Sequence, residues 1–399
     1  MVSREVWITG TGCVSALGEG EAAHWAALSE GALNPAWIDQ TALAPFTIHP
    51  IRGLDLNRYI PKKGDQRAMG PLMHYGVYAA GMALEDAGLT GKQDLLSHTH
   101  LIVGCGGGER DWAVDEMILR KRPTAADQGA ALNETLQTEL RPTLFLAQLP
   151  NLFAGNISIV HGVTGSSRTF MGEEMCGADA VLIAFERITA GQGDLFLVGS
   201  AFNTERLDEF ATFGPGGYMC RGAVPPLWSP ERNGMTMGSM GAFVVLESRA
   251  HAEARGATPV ARLSAIATER TDRAPGAATF AALGQWNAIR PGLKPDPLAI
   301  LSGATGVRAP TQEERQFLAS IEHPHAVRAT AAAAGHGLEC AFLLNLTLAA
   351  TVARRGHLFA PLSEDRVAEA PLDAAVSQVL ITQWGHQRGE AMALVDAVS

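Results

Sequence analysis

The sequence predicts an α/β protein with mostly buried sheets, in which the second half repeats the style of the first. Three observations predict it. Short apolar runs ending in glycine recur along the chain: EVWITGTG (5–12), HLIVGCGGG (100–108), GDLFLVGS (193–200) and PLAILSGATG (297–306). Runs of this length and composition are expected of strands covered on both faces. Helical segments of small and apolar residues lie between them, and that alternation is the mark of α/β architecture. The 399 residues are 47% hydrophobic and only 18% charged. Much apolar surface must therefore be hidden, in a thick core or in an oligomer interface.

Taken in order, residues 5–12 read as a buried strand and tight turn. HYGVYAAGMALEDA (74–87) reads as a helix stopped by Gly88, and 100–108 as a second strand. Residues 149–159 form a small-residue helix. GSSRTFMGEEMCG (165–177) starts as a strand at Ser167–Met171, breaks at Gly172 and runs into the apolar helix ADAVLIAFERI. A strand, a glycine break and a helix start is where enzymes place a nucleophile on a tight turn. Here the turn carries two carboxylates, Glu173 and Glu174, and the thiol of Cys176 comes two residues late. Strands follow at 193–200 and 242–247. SRAHAEARGAT (248–258) reads as a helix joining two halves, so the expected division is 1–250 and 251–399 within one compact unit. The second half contributes strands at 259–267 and 297–306, a buried helix at 337–353 and closing strands at 379–383 and 392–398.

The totals exclude several functions. A net charge of −10 with no block of Lys or Arg argues against nucleic acid as a partner. No apolar run is long enough to span a bilayer, and MVSREVWITGTG has no signal-peptide layout. The five cysteines are scattered, odd in number and without CxxC spacing. That pattern is expected of a reduced, cytoplasmic protein without structural zinc. No metal and no cofactor is expected.

Six segments, in order, carry a resemblance: VWITGTGCVSALGEG (6–20), LPNLFAGNISIVHGVTG (149–165), AGQGDLFLVGSA (190–201), WSPERNGMTMGSMGAFVVLES (228–248), AGHGLECAFLLNLTLA (334–349) and the closing strands. Together the chain resembles the β-ketoacyl-ACP synthases of the thiolase superfamily over nearly its whole length. The resemblance implies a five-layered αβαβα fold of two similar halves, usually dimeric through the region around 149–201. It also implies a chemistry: a Cys on the nucleophile turn takes the acyl chain, two His residues hold the malonyl thioester carbonyl, and a Lys and a Glu flank the second His.

Most of those parts are missing. Against the pattern GPSxSxxTACxSG, an ungapped count from either end puts Glu174 in the Cys place, Glu173 in the Ala place and Gly172 in the Thr place. Gly303 takes the place of the first His, in SGATGV. His336 keeps the place of the second. Ala331 stands in the Lys place and Asn345 in the Glu place. Glu339, Cys340 and Phe342 bulk up a stretch that the family keeps small. The final gate, usually GFGGTN, reads WGHQRGEA (384–391), with His386 near the usual Phe. A carboxylate cannot replace the acyl-carrying thiolate, because it attacks thioesters poorly and would form an anhydride.

Each of these residues has a chemical and a structural reading. Glu174 is an acid/base or the mimic of a bound carboxylate, or else a turn residue bonded to helix N-terminal N–H groups. Cys176 is a displaced nucleophile or small core filler. His336 binds a thioester oxygen or is held within its own turn. Phe170, Met171, Met175, Met240, Phe342 and Trp384 line an acyl tunnel or plug it. Lys62 and Lys63 resemble the family's basic patch for acyl carrier protein, or are simply solvated.

The resemblance therefore points to a catalytically silent homologue. It would pair with an active ketosynthase or with itself, as chain-length factors do in polyketide, aryl-polyene or specialised fatty-acid synthesis, with acyl carrier protein as a further partner. Chain-length factors usually carry Gln in the Cys place, so Glu174 departs from that subgroup. The alternatives are a malonyl decarboxylase or thioester hydrolase using Glu174 and His336 with His386 assisting, and a homodimeric module that binds acyl chains or carrier proteins.

Overall fold

The structure is a computed structural model and describes residues 4–31, 34–121, 124–140, 146–172 and 174–398. Glu173 lies outside the described residues. Ten strands build the frame. The first half supplies β1 (Val6–Ser15), β2 (His100–Cys105), β3 (Ser167–Met171), β4 (Leu195–Phe202) and β5 (Met240–Ser248). The second supplies β6 (Ala261–Asp272), β7 (Leu298–Ser302), β8 (His325–Ala329), β9 (Gln378–Trp384) and β10 (Arg388–Asp396).

The two halves have the same topology. The first orders its strands β3-β2-β4-β5-β1 and the second β8-β7-β9-β10-β6. In each, the fifth strand in sequence runs antiparallel to both neighbours, while the central strands pair in parallel. The sheets meet where Val6–Ile8 of β1 pair with Ala261–Leu263 of β6. The repeat changes over between β5 and β6, within residues 249–260, where Arg249–Ala254 form a short helix.

Helices supply the remaining layers. α1 (Pro71–Asp86) and α2 (Asn151–His161) cover the outer face of the first sheet. α4 (Ala277–Ile289) and α5 (Arg308–Ala319) cover that of the second. Between the sheets lie α3 (Cys176–Thr189) and α6 (Ala341–Arg355). Residues 342–353 of α6 are all buried. A helix apolar on every side is stable only with partners all round, so its sequence dictates the central position. The result is a five-layered αβαβα arrangement of two similar halves, as the resemblance implies. Among the described residues no helix is long and apolar enough to cross a membrane.

Several elements differ from expectation. The apolar stretch from Gly337 is not one helix: Leu338–Cys340 form a 3-10 turn before α6 begins. The last strand starts at Arg388, not at 392, because Arg388 and Glu390 pair with β6 across a register shift. β8, α4 and α5 were not foreseen. The sequence of β8, HAVRA, holds the fully buried Arg328, whose guanidinium donates to the carbonyls of Phe359, Val327 and Ala370.

Candidate active site

Glu174 sits in the turn between β3 and α3. Gly172 opens that turn with φ 116°, a conformation that L side chains rarely adopt. Behind the turn, α3 is drawn hard against the loop before α6. A Cβ on Gly177 would lie 2.0 Å from the carbonyl oxygen of Glu339. The small residue at 177 thus fixes the depth of the helix and with it the height of the turn.

Two histidines converge on the carboxylate. His336 follows the short helix Ala331–Ala334, and its backbone is tied to residues 236–238 (His336 N–H to Thr236, Gly238 N–H to His336). Its Nε2 lies 2.9 Å from Glu174 Oε1. His386 is at the tip of the β9–β10 hairpin. Its backbone N–H donates to Glu174 Oε2 at 2.6 Å. Its ring Nδ1 lies 3.0 Å from Oε1 without the alignment of a hydrogen bond. On the far side of that ring, Nε2 is 2.9 Å from Thr305 Oγ1. The imidazoles meet edge to face, 5.0 Å apart at 80°. All three side chains are buried.

Burial pushes the Glu174 carboxyl up, but the positive field of His386 and the hydrogen bonds from His336 and His386 outweigh it, holding the group far below the usual carboxylate range. Burial pushes His336 down, and its hydrogen bond to Glu174 only partly offsets this. Both directions describe one state at neutral pH: an ionised Glu174 accepting from a neutral His336 Nε2–H. No donor from the N-terminus of α3 reaches the carboxylate among the described contacts. The backbone N–H that does reach it comes from His386, which corrects the turn-residue reading.

The other candidate positions explain themselves sterically. A Cβ on Gly303 would come within 2.8 Å of Gln383 Cα and Thr382 O, so no imidazole fits there. A second imidazole does reach the site, that of His386, from a different loop. Ala331 is buried and offers no cation. Asn345 Oδ1 accepts from Thr330 Oγ1 at 2.6 Å, a neutral pair in place of a flanking charge. Cys176 is buried, and desolvation and the nearby Glu339 raise its thiol well above the ordinary value, so it is unreactive core.

The aromatic and methionine set does not act as one group. Met175, Met240 and Phe342 are fully packed in the core around α3 and α6, and Phe170 lies partly buried against it. Trp384 belongs instead to the outer side of the second sheet, against Phe317 of α5 at 5.5 Å. Met171 is 59% exposed on β3, the edge of the sheet, so it neither lines nor plugs a tunnel. A cavity of about 260 Å³ does border Glu174, but its walls include Gly106, Phe213, Leu338, Glu339 and Arg388. Glu339 is buried there, accepts from Gly106 N–H at 2.7 Å, and is pushed by desolvation to about 7. Lys63 turns back onto Asn57 and Gln66, and Lys62 is exposed. Thr305, which orients His386, was not singled out from the sequence. Its one signal was its place two residues after Gly303, on the same turn.

Comparisons with known proteins bear on the family and the fold. The family model described as β-ketoacyl synthase, N-terminal domain, matches residues 3–252. The 3-oxoacyl-[acyl-carrier-protein] synthase 2 of Vibrio cholerae serotype O1 is 27% identical over 265 residues, 64% of this chain and 61% of that protein. The match thus spans about three-fifths of that relative's length. Among solved structures, the ishigamide ketosynthase/chain length factor superposes with a TM-score of 0.80 at 21% identity, covering 100% of both chains. A type II polyketide ketosynthase in complex with its acyl-carrier protein and bound to the hexaketide gives a TM-score of 0.75 at 17% identity, again covering 100% of both chains. With more than half of its length matched by the family model and the five-layered fold in place, the chain belongs to the β-ketoacyl synthase family.

Proposed function

We propose that the chain is a non-condensing member of this family that works beside an intact ketosynthase, in the manner of a chain-length factor, in polyketide, aryl-polyene or specialised fatty-acid synthesis. One observation carries the reading: the turn that would hold the acyl-accepting thiol holds a carboxylate instead, and that carboxylate is bonded to His336 and to the backbone N–H of His386. The retained imidazole that would hold a thioester oxygen, His336, is thus already engaged by Glu174. Acyl carrier protein is the shared partner of such a pair.

The test is co-expression with the intact ketosynthase encoded nearest to this chain's gene. A stoichiometric complex is expected, together with carrier-bound elongation that needs both subunits. An intact ketosynthase that ignores this chain and elongates equally well without it overturns the reading.

The gathering of Glu174, His336 and His386 also favours a second reading, malonyl decarboxylation or thioester hydrolysis by these three. It requires the carboxylate to release at least one imidazole toward the cavity. Carbon dioxide release from malonyl-loaded carrier protein by the chain alone, lost in His336→Ala, would select it.

A further inference from the structure

We propose that Glu174, His336 and His386 form a binding site for a divalent first-row transition ion of the zinc type. The donor set is two imidazole nitrogens and one carboxylate oxygen, drawn from three separate loops and buried together. Such a set suits zinc, iron or nickel, and is too poor in oxygen for magnesium or calcium.

The spacing fits. A metal with bonds of about 2.1 Å holds adjacent ligands about 3.0 Å apart in octahedral geometry and about 3.4 Å in tetrahedral. Glu174 Oε1 lies 2.9 Å from His336 Nε2 and 3.0 Å from His386 Nδ1. All three ligand atoms fall within 4.8 Å of one another. The cation would displace the hydrogen now shared by Oε1 and His336 Nε2 and sit to one side of the line joining them, with the imidazoles turning toward it.

His386 supplies an independent observation. Its side chain is fully buried, and its Nδ1 faces Oε1 at 3.0 Å yet has no aligned hydrogen-bond partner. Its Nε2 is held on the other side by Thr305 Oγ1. Nδ1 is thus the atom that faces the carboxylate oxygen, and a cation that replaces a proton there, seated to one side of the line joining the two atoms, bonds both. A ligating histidine usually has its second nitrogen hydrogen-bonded in this way, which fixes the tautomer and turns the ring. Positions beyond the three protein ligands would face the cavity of about 260 Å³ beside Glu174, leaving room for water.

The experiment uses the full chain, stripped with a chelator and titrated with Zn²⁺ against a fluorescent competitor, with Co²⁺ as a spectroscopic probe. The expected result is one Zn²⁺ per chain, bound tighter than about 1 μM, a rise in thermal midpoint, and a visible Co²⁺ spectrum of mixed nitrogen and oxygen ligation. His386→Ala and Glu174→Gln should each weaken binding by at least about a hundredfold. Thr305→Val removes the orienting bond together with a long one from Val307 N–H, leaves all three ligands in place, and should cost roughly tenfold. The inference is overturned if the stripped wild type takes up no stoichiometric Zn²⁺, or if folded His386→Ala and Thr305→Val bind it as the wild type does. Complex formation with a ketosynthase is measured separately, so failure here leaves the partner reading standing, and the reverse.

Discussion

Glu174 turns a thiol site into a carboxylate site, and its neighbours have changed with it. Replacing it alone should therefore not restore condensation. Glu174→Cys would gain a thiol near a helix N-terminus, where thiolate is favoured, and should be alkylated faster than the wild type. Decarboxylative condensation also needs donors that are absent: residue 303 has no room for an imidazole, Ala331 has no ammonium, and Asn345 is tied to Thr330. Each lost oxyanion donor typically costs about 3 kcal/mol. Turnover of Glu174→Cys with acyl and malonyl carrier proteins should stay near background, and rates like those of an ordinary ketosynthase would show that His386 supplies the function of the missing histidine. At this scale the sequence was informative wherever a residue could be counted along a turn: Glu174, Gly303 and His336 all followed from local spacing. The grouping of Glu174 with His336 and His386 came from the resemblance and not from local spacing. His386 reaches Glu174 across 212 residues of chain, and no local pattern shows which hairpin tip will meet which turn.

At the scale of elements, α5 is fixed to the second sheet by a buried carboxyl. Glu314 Oε1 accepts from Ser302 Oγ of β7 at 2.7 Å and from Thr382 Oγ1 of β9 at 2.6 Å. Desolvation outweighs these hydrogen bonds and raises its pKa from 4.5 to about 7. Its folded state thus binds a proton that the unfolded chain releases. The contribution is fully present below about 4.5 and is lost as pH rises toward 7, and Glu339 acts in the same direction. Glu174, with its lowered pKa, acts oppositely and loses its contribution only as pH falls below the usual carboxylate value. Buried His24 and His49, held by desolvation at about 4, act oppositely over the same range, so chemical denaturation is read as a difference: Glu314→Gln should gain about 2–3 kcal/mol on the wild type as pH rises from 4.5 to 7. A constant difference would mean that Glu314 is already ionised. Strands ending in glycine and the buried α6 were legible because burial on every side leaves a mostly apolar run. α5 was not: RAPTQEERQFLA reads as a solvated helix, and nothing local distinguishes the one glutamate that turns inward. β8 was missed for a related reason, since an arginine in the middle of a five-residue run reads as surface until its carbonyl partners are known.

For the whole molecule, the first sheet ends in an open edge. β3 pairs only with β2, and Met171 on it and Ile159 on α2 are 59% and 69% exposed. An unpaired edge strand with exposed apolar side chains on and near it is a liability unless another chain covers it. The expected assembly is a dimer, with itself or with an intact ketosynthase, burying roughly 2,000 Å² or more. Sedimentation should find no stable folded monomer at micromolar concentration, and a monodisperse monomer would refute the assembly. The most direct measurement of the central claim offers the purified chain, with no partner, both acyl-loaded and malonyl-loaded carrier protein, and follows carbon dioxide release and β-ketoacyl product together. A silent subunit yields neither above background, and elongation appears only when an intact ketosynthase is added. Product or carbon dioxide from the chain alone, abolished by Glu174→Gln or His336→Ala, would contradict the account and make the three gathered side chains an active site in their own right.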